Sequence, residues 1–330
     1  MKERPTLEEV ARRAGVGRGT VSRVINGSPR ASEQARAAVN AAIAELGYIP
    51  NRAARSLVTR RTDSVALVVP ESEERFFTEP FFGRVVRGVS AGLRDSEVQL
   101  LLAIAQDRRR LGHYLTRQHV DGVILLSLHG EDPLPGELES RGVPAVLIGR
   151  PLTTPAAYVD ADNAGGARLA VEHLAASGRR RIGILAGPQD MAVGVARLAG
   201  ATEALAAAGL PADLVAYGDF SEASGAAALR ELLDTAPDLD AVFAASDPMA
   251  AGALRVLRSL GRAVPGDVAV AGFDDSVIAE HADPPLTSVH QPVEAMGTAA
   301  VRLLLDRIAG TAPDRPAVVL DTHLTIRQST

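Results

Sequence analysis

The sequence predicts two unlike parts: an N-terminal all-α head of three short helices and a larger α/β body of two similar lobes, joined by a short hinge helix. Three observations predict this. The chain has 330 residues, more than one ordinary core organises. Charge is split: residues 1–61 carry 12 Lys and Arg against 5 Asp and Glu, a net +7, while the rest carries 23 against 35, a net −12. From Ser64 onward, apolar runs of strand length alternate with amphipathic helical runs, the pattern of a parallel α/β sheet. A small basic head on an acidic body points to polyanion binding by the head alone.

Composition excludes other classes. Apolar residues make up 46% and aromatic residues 3%, with no Trp. No apolar run approaches the ~20 residues a membrane helix needs. Met1-Lys2-Glu3-Arg4-Pro5 leads into a polar amphipathic helix with no apolar core, so a secretory signal is not expected. Without cysteine there is no disulfide and no thiolate metal site. A cytoplasmic protein without cofactor or metal is expected.

In the head, residues 1–50, Thr6-Leu7-Glu8-Glu9 reads as a capping box. The first helix runs from Leu7 to Ala14, buries Leu7, Val10, Ala11 and Ala14, and stops at Gly15. A second helix starts near Gly17. Its Val21, Val24 and Ile25 fall at i, i+3 and i+4 and share one face, leaving Arg18, Thr20, Ser22 and Arg23 off it. A third, from about Ser32 to Leu46, packs Ala35, Val39, Ile43 and Leu46. Three short helices with a tight Gly turn fit a helix-turn-helix with the second helix as reader. A plain three-helix bundle with Arg18 and Arg23 in solvent shares this pattern. The basic excess and the segment that follows favour DNA.

Two stretches carry a family resemblance. Val16-Gly17-Arg18-Gly19-Thr20-Val21-Ser22-Arg23-Val24-Ile25-Asn26-Gly27 resembles the recognition segment of the lactose-repressor (LacI/GalR) family. Leu46-Gly47-Tyr48-Ile49-Pro50-Asn51-Arg52-Ala53-Ala54-Arg55-Ser56-Leu57 resembles its hinge. The resemblance implies that Arg18, Gly19 and Arg23 face bases, where Arg bonds guanine bidentately. It places Thr20, Ser22, Asn26 and Ser28 on phosphates, which set register, with Thr6 and Leu7 also reaching the backbone. Gly17 stands where the family usually has a Ser cap, so a side-chain cap is lost there. In the hinge, residues 51–61, Leu57 would be a minor-groove wedge, Ala54 would pack near the groove floor, and Asn51 and Arg55 would support the backbone. So short a helix is marginal alone, so its order should follow the spacing of the bodies beneath it.

In the body, residues 62–330, strands are expected at Ser64–Pro70, Gln99–Ala105, Gly122–Ser127, Ala145–Gly149, Arg181–Gly187, Leu214–Tyr217, Ala241–Ala245 and Val268–Phe273. Helical runs include Phe82–Asp95, Ala164–Ser177, Arg197–Ala208, Ser224–Leu233 and Met249–Leu260. The pattern restarts near Arg181, so two lobes with a cleft at their strand ends follow. Nothing resembling a Walker loop, a Gly-x-Gly-x-x-Gly after a strand, Gly-x-Ser-x-Gly or His-Glu-x-x-His occurs. The seven histidines form no ligand spacing, and His281 and His290 read as loop residues. The pairs Asp160/Asp162 and Asp274/Asp275 suit either a site or an ordinary strand-end turn.

The resemblance extends over the body through Gly200, Ala245-Ser246-Asp247-Pro248-Met249-Ala250-Ala251-Gly252-Ala253, Gly261-Arg262-Ala263-Val264-Pro265, Gly272-Phe273-Asp274-Asp275 and Pro285-Leu286-Thr287-Ser288-Val289-His290-Gln291-Pro292. It implies a regulatory domain similar to periplasmic sugar-binding proteins, with crossovers near Asp162, Gln291 and Asp321. The N-lobe would take about 62–162 and 291–321, the C-lobe about 163–290 and 322–330. With no heptad tail after a last strand at Thr322–Arg327, a homodimer is expected rather than a tetramer. Carried over by position, Phe82, Arg197, Asp247, Asp274 and Gln291 would bind an effector. Carboxylates and an Arg fork bridge sugar hydroxyls, and aromatic rings stack on a pyranose. Phe76, Phe77, Phe81 and Phe82 are four of the seven Phe and suggest a stacking platform, with Phe81 equally readable as core. Arg150 stands where an Asp is common and is a further candidate.

Phe76-Phe77-Thr78-Glu79-Pro80-Phe81-Phe82, Leu126-Ser127-Leu128-His129-Gly130-Glu131-Asp132-Pro133-Leu134-Pro135 and Gly187-Pro188-Gln189-Asp190-Met191 resemble the cellobiose-responsive repressors of actinobacteria. This implies a β-glucoside effector, with His129 and Asp190 as further ligands. The expectation is a dimeric repressor of a palindromic operator, released or held by a sugar. The competing readings are a solute receptor without DNA function, a repressor of another metabolite, and an enzyme acting on the sugar.

Overall fold

The structure is a computed structural model and describes residues 5–25, 28, 30–48, 61–104, 108–152, 155–313 and 316–330. The described residues up to Asp63 form a unit of their own, with Gln118–Val120 grouped with it; the remaining described residues form the second unit.

In the head, caps set the helix limits. Thr6 starts α1 (Leu7–Ala14): its hydroxyl accepts from the Glu9 N–H, and the Glu9 carboxylate accepts from the Thr6 N–H at 2.7 Å. Gly15, at φ 65°, ends it. Next is α2 (Arg18–Ile25), then α3 (Glu33–Leu46), capped by Ser32 and closed by Gly47 at φ 62°. Val10, Ala11, Val21, Val24, Val39 and Ala42 are buried together. Leu7, Ala14, Ile43 and Leu46 pack partly buried against them, and Ala42 joins the buried core of the third helix beside Val39.

The body's first sheet contains β1 (Ser64–Val69), β2 (Gln99–Ile104), β3 (Gly122–Leu126), β4 (Ala145–Ile148), β5 (Ala157–Ala161) and β11 (Ala317–Leu320). Their order is β11-β5-β4-β3-β1-β2, all parallel. The second contains β6 (Ile182–Ala186), β7 (Val215–Tyr217), β8 (Ala241–Ala244), β9 (Ala269–Asp274), β10 (Thr287–His290) and β12 (His323–Thr325), in the order β12-β10-β9-β8-β6-β7. Only β12 is antiparallel there. Strands covered on both faces are apolar throughout: β3, β4, β6 and β8 are buried at every position.

The covering helices are α4 (Glu73–Thr78), α5 (Pro80–Leu93), α6 (Arg108–Tyr114), α7 (Leu134–Ser140), α8 (Asn163–Ala176), α9 (Ala192–Ala207), α10 (Glu222–Thr235), α11 (Asp247–Ser259), α12 (Val277–His281) and α13 (Val293–Ala309). Helix α13 packs on α5, α8 on α9, and α10 on α11. The α5–α13 crossing is close because glycines face each other's backbones: a Cβ at Gly88 would strike the Glu294 backbone, and one at Gly297 the backbone of Gly88 and Val89. Three strands absent from the sequence reading (β5, β10 and β11) complete the sheets.

The chain passes between sheets three times: from β5 to α8 through Asp162, from β10 to α13 through 291–292, and from β11 to β12 through 321–322. These passages lie toward the β5/β11 end of one sheet and the β10/β12 end of the other. Strands β1, β2, β6 and β7 stand at the opposite ends. Among the described residues, no helix is long and apolar enough to cross a membrane.

Candidate ligand cleft and DNA-reading helix

Strand ends of both lobes border a cavity of about 1060 Å³, counted to its open mouth. One wall is aromatic. Phe81 and Phe82 line it with rings 5.6 Å apart and nearly perpendicular, while Phe220 lines it from the second lobe. Phe76 is buried behind them, and Phe77 points away at 75% exposure, so the platform of four is a platform of two. Among apolar residues such as Leu128, Ile148, Met191 and Val293, polar side chains also line it: Glu79, Arg84, Ser127, Arg150, Asp160, Arg197, Asp274 and Gln291.

Arg197, on α9, is the hub at the crossover end. Its Nε donates to Asn163 Oδ1 at 2.9 Å, Nη1 to the Ala245 carbonyl at 2.6 Å and to Asp274 Oδ1 at 3.2 Å, and Nη2 to Gln291 Oε1 at 3.0 Å. The guanidinium lies 3.6 Å over the Phe273 ring. Burial lowers the Arg197 pKa, and Asp274 opposes that. Burial raises Asp274, and Arg197 opposes that in turn. Arg84, from α5, ties the lobes by donating to the Asp274 carbonyl at 3.0 Å and the Gln291 carbonyl at 3.3 Å. Left-handed non-glycine backbone gathers around the cavity, at Ser127 (φ 58°), Phe220 (φ 73°), Asp274 (φ 108°) and Asp275 (φ 47°).

Other expected residues lie elsewhere. Asp247 is fully buried beneath the cleft. Its Oδ1 accepts from Ser288 Oγ at 2.5 Å and its Oδ2 from the Ser276 N–H at 2.7 Å, so it fixes the loop after β9 and does not line the cavity. Burial and then the Asp274 charge raise its pKa. His129 and Asp190 do not line the cavity either; their side chains pair with each other at 2.9 Å. Asp275 anchors Arg327, His290 and Thr325 instead of the cleft. His290 closes β10 and His281 closes α12, so neither sits in a loop. Among the described residues, no cluster of His, Asp and Glu suits a metal ion.

Several lining residues escaped the sequence reading: Arg75, Glu79, Arg84, Met191 and Phe220, whereas Asp160 was noted there only as one of a carboxylate pair. Burial, partly offset by Arg75 at 2.8 Å, pushes Glu79 up to about 7. Burial also raises Asp160, whose Oδ1 accepts from the Ala161 N–H and Asn163 Nδ2, while its Oδ2 stands 3.9 Å from Arg150 Nε. The i, i+4 series Glu71, Arg75, Glu79 was the signal available for two of these.

On α2, Arg18 is 74% exposed and pairs with Glu8 at 3.0 Å. Arg23 Nε donates to the Gly19 carbonyl at 3.1 Å, with Thr20 Oγ1 3.4 Å from its Nη2. Gly17 begins the helix through its carbonyl, which accepts from the Thr20 N–H. Apart from the chain neighbours and the helix's own backbone, no atom of the described residues lies within 4 Å of a Cβ built at Gly17 or Gly19, so there is open space beside both. Ser22 is engaged. Ser28 accepts from the Arg30 N–H at 3.4 Å. Thr6 is exposed and Leu7 half-buried. Asn26, Asn51, Ala54, Arg55 and Leu57 lie outside the described residues.

A basic helix-turn-helix head and a two-lobed α/β body with an aromatic and polar cleft define a ligand-responsive DNA-binding regulator. The comparisons agree. Residues 6–51 match bacterial regulatory proteins of the lacI family, and residues 171–330 match the periplasmic binding protein-like domain. The chain is 59% identical over 336 residues to the HTH-type transcriptional regulator CelR of Thermobifida fusca, covering 99% of each. It is similar to a solved complex of transcriptional regulator CelR with cellobiose, at TM-score 0.80, 56% identity and coverage of 99% and 100%. It is also similar to the lac repressor dimer bound to operator and the anti-inducer ONPF, at TM-score 0.86, 28% identity and 99% coverage of both chains. This chain belongs to the LacI family of bacterial transcriptional regulators.

Proposed function

We propose that this chain is a dimeric repressor that binds a palindromic operator through paired α2 helices, and whose grip is set by cellobiose or a related β-glucoside in the cleft. The observation that carries the sugar is the cavity itself: two Phe rings inclined at 73°, Phe220, and charged groups able to exchange hydrogen bonds with hydroxyls, all lining one space. The 59% identity to CelR, a relative solved with cellobiose, supports the same choice. Phe81, Phe82, Arg150, Arg197, Asp274 and Gln291 are the proposed contacts, joined by Glu79 and Asp160. Asp247 acts beneath them by holding Ser276 and Ser288.

On DNA, Arg18 and Arg23 would swing from Glu8 and Gly19 to base edges, and Leu57 would wedge the minor groove. Ligand shifts the operator equilibrium only by binding its two states unequally. The reading places the protein in the cytoplasm, where operator DNA is, and assigns it no catalytic step.

The test is calorimetry with cellobiose, glucose and cellotriose, beside a gel-shift titration of a palindromic operator. Cellobiose should bind, change operator affinity and be recovered intact after incubation. Hydrolysed sugar would favour an enzyme, and sugar binding without DNA binding would favour a receptor. Leu57→Ala should abolish the shift and leave sugar affinity unchanged; unaltered operator affinity would remove the wedge.

A further inference from the structure

The end of the cleft away from the crossovers carries a constellation that joins the two lobes directly, with Arg75 and Ser127 also on the cavity wall. Its centre is Glu71, buried on the loop after β1. Glu71 Oε1 accepts from Ser127 Oγ and lies 3.4 Å from His129 Nε2, and its Oε2 lies 3.1 Å from Arg75 Nη1. From this carboxylate two arms cross to the second lobe. In one, His129 Nδ1 stands 2.9 Å from Asp190 Oδ2, and the neighbouring Gly130 N–H donates to the Asp190 carbonyl at 2.7 Å. In the other, Arg75 Nη2 donates to the Asp219 carbonyl at 2.8 Å.

Sheet order fixes the leverage of these contacts. Glu71 follows β1 and His129 follows β3; Asp190 follows β6 and Asp219 follows β7. In each sheet these strands stand away from those that carry the crossovers. Rotation of the lobes about the crossovers moves the far edge most, so these contacts part first on opening. The Arg197 cluster, bonded to Asn163 and Gln291 beside two crossovers, moves least.

We propose that Glu71, with its His129–Asp190 and Arg75–Asp219 arms, is a clasp that holds the cleft shut over its ligand, and that the His129 arm closes more firmly when the imidazole is protonated. A neutral imidazole has one N–H and serves one carboxylate; the imidazolium serves both. The charged groups around it are Glu71 from the first lobe, Asp190 from the loop after β6, and the Arg75 guanidinium on α4 behind Glu71. The hydrogen bond to Glu71, followed by Asp190, raises the His129 pKa against its burial. Against its own burial, bonds from His129 and Ser127 and the Arg75 charge hold Glu71 below the usual carboxylate range. Opening removes Asp190 and leaves Glu71, so the closed state holds the proton more tightly. Closure therefore strengthens as pH falls through the closed-state pKa of His129 and weakens as pH rises through it. The Arg75 guanidinium stays charged in this range, but its partner in the same lobe, Glu79 at 2.8 Å, is raised to about 7 and titrates there too, in the parent and in every His129 or Asp190 variant alike.

The proposal rests on the sugar reading for one of its two measurements only. The chain has no cysteine, so Gly136→Cys on α7 and Tyr217→Cys on β7, both exposed, allow specific dye labelling of the full chain. Energy transfer without sugar should report a larger closed fraction at about pH 6 than at about pH 8. In parallel, cellobiose should bind about fivefold more tightly at the lower pH. Both pH effects should lose most of their size in His129→Gln and in Asp190→Asn, leaving only what Glu79 contributes; the latter variant changes only a side chain 56% exposed on a loop, so folding is kept. Persistence of either pH effect at its full size in both variants overturns the clasp, as does pH-independent closure of the unsubstituted labelled chain. If closure depends on pH as stated but cellobiose binds at neither, the sugar assignment falls and the clasp stands.

Discussion

The two ends of the cleft are built from the same residue types to opposite purposes. At the crossover end, Arg197 is buried and its fork is shared among Asn163, Asp274, Gln291 and the Ala245 carbonyl. At the far end, His129 and Asp190 meet in half-exposed pairs. A desolvated, fully bonded cation is costly to disturb, so it suits a pivot. A half-wet ion pair contributes little and exchanges easily, so it suits an edge that opens. Stability lies at the crossover end of the cleft and responsiveness at the far end.

The largest effect expected is at the pivot. Arg197→Ala strands the buried Asp274 carboxyl and leaves Gln291 and Asn163 without their donor. Breaking a buried pair of this kind costs about 3–5 kcal/mol. Denaturant unfolding should show that loss, and operator release should no longer respond to cellobiose. If the variant keeps both its stability and its response, the pivot reading is wrong. Arg197→Lys keeps the charge but not the fork, and should recover part of the stability without the response.

An intermediate effect is expected on the aromatic wall. Phe81 is half-buried and lines the cavity, whereas Phe82 is also core, packed on Phe76 with centroids 5.6 Å apart. Phe81→Ala should weaken cellobiose binding by about 1–2 kcal/mol with little change in unfolding. Phe82→Ala should cost about 3 kcal/mol or more in stability. Equal losses of stability in the two variants would remove the distinction between platform and core.

What the sequence made legible divides along the same line. Strands such as β3 and β6 are apolar runs because both faces are covered, and they stand out in the chain. Strands β5 and β10 escaped because they lie next to crossovers and carry polar side chains. Asp160 is tied to Asn163, and the Thr287 and Ser288 hydroxyls to Thr330 and Asp247. Arg197 meets Asp274 and Gln291 across 77 and 94 residues of chain, a proximity that no spacing rule reveals; the family resemblance supplied it. Glu71, Arg75 and Glu79 did show i, i+4 spacing, yet that pattern usually marks a solvated helix face. Only the packing shows Glu71 buried and both partners on the cleft wall.

Glu79 gives the smallest effect and links the two ends, since it lines the cavity and holds the clasp residue Arg75. Its carboxyl is raised from 4.5 to about 7, with burial the chief cause. An acid raised on folding binds more protons in the native state than in the unfolded one. Its contribution to stability is therefore full below pH 4.5, lost progressively up to about 7, and flat beyond. Glu79→Gln keeps a hydrogen-bonding group of the same size and cannot ionise, and Arg75 retains Glu71 as a partner. The difference in melting temperature between variant and parent should then move in the variant's favour across that window and level off above it. A difference that stays constant from pH 4.5 to 7.5 would mean that Arg75 keeps Glu79 ionised throughout. The far end would then rest on a permanent Glu71–Arg75–Glu79 ion network, with His129 its one titrating member near neutral pH.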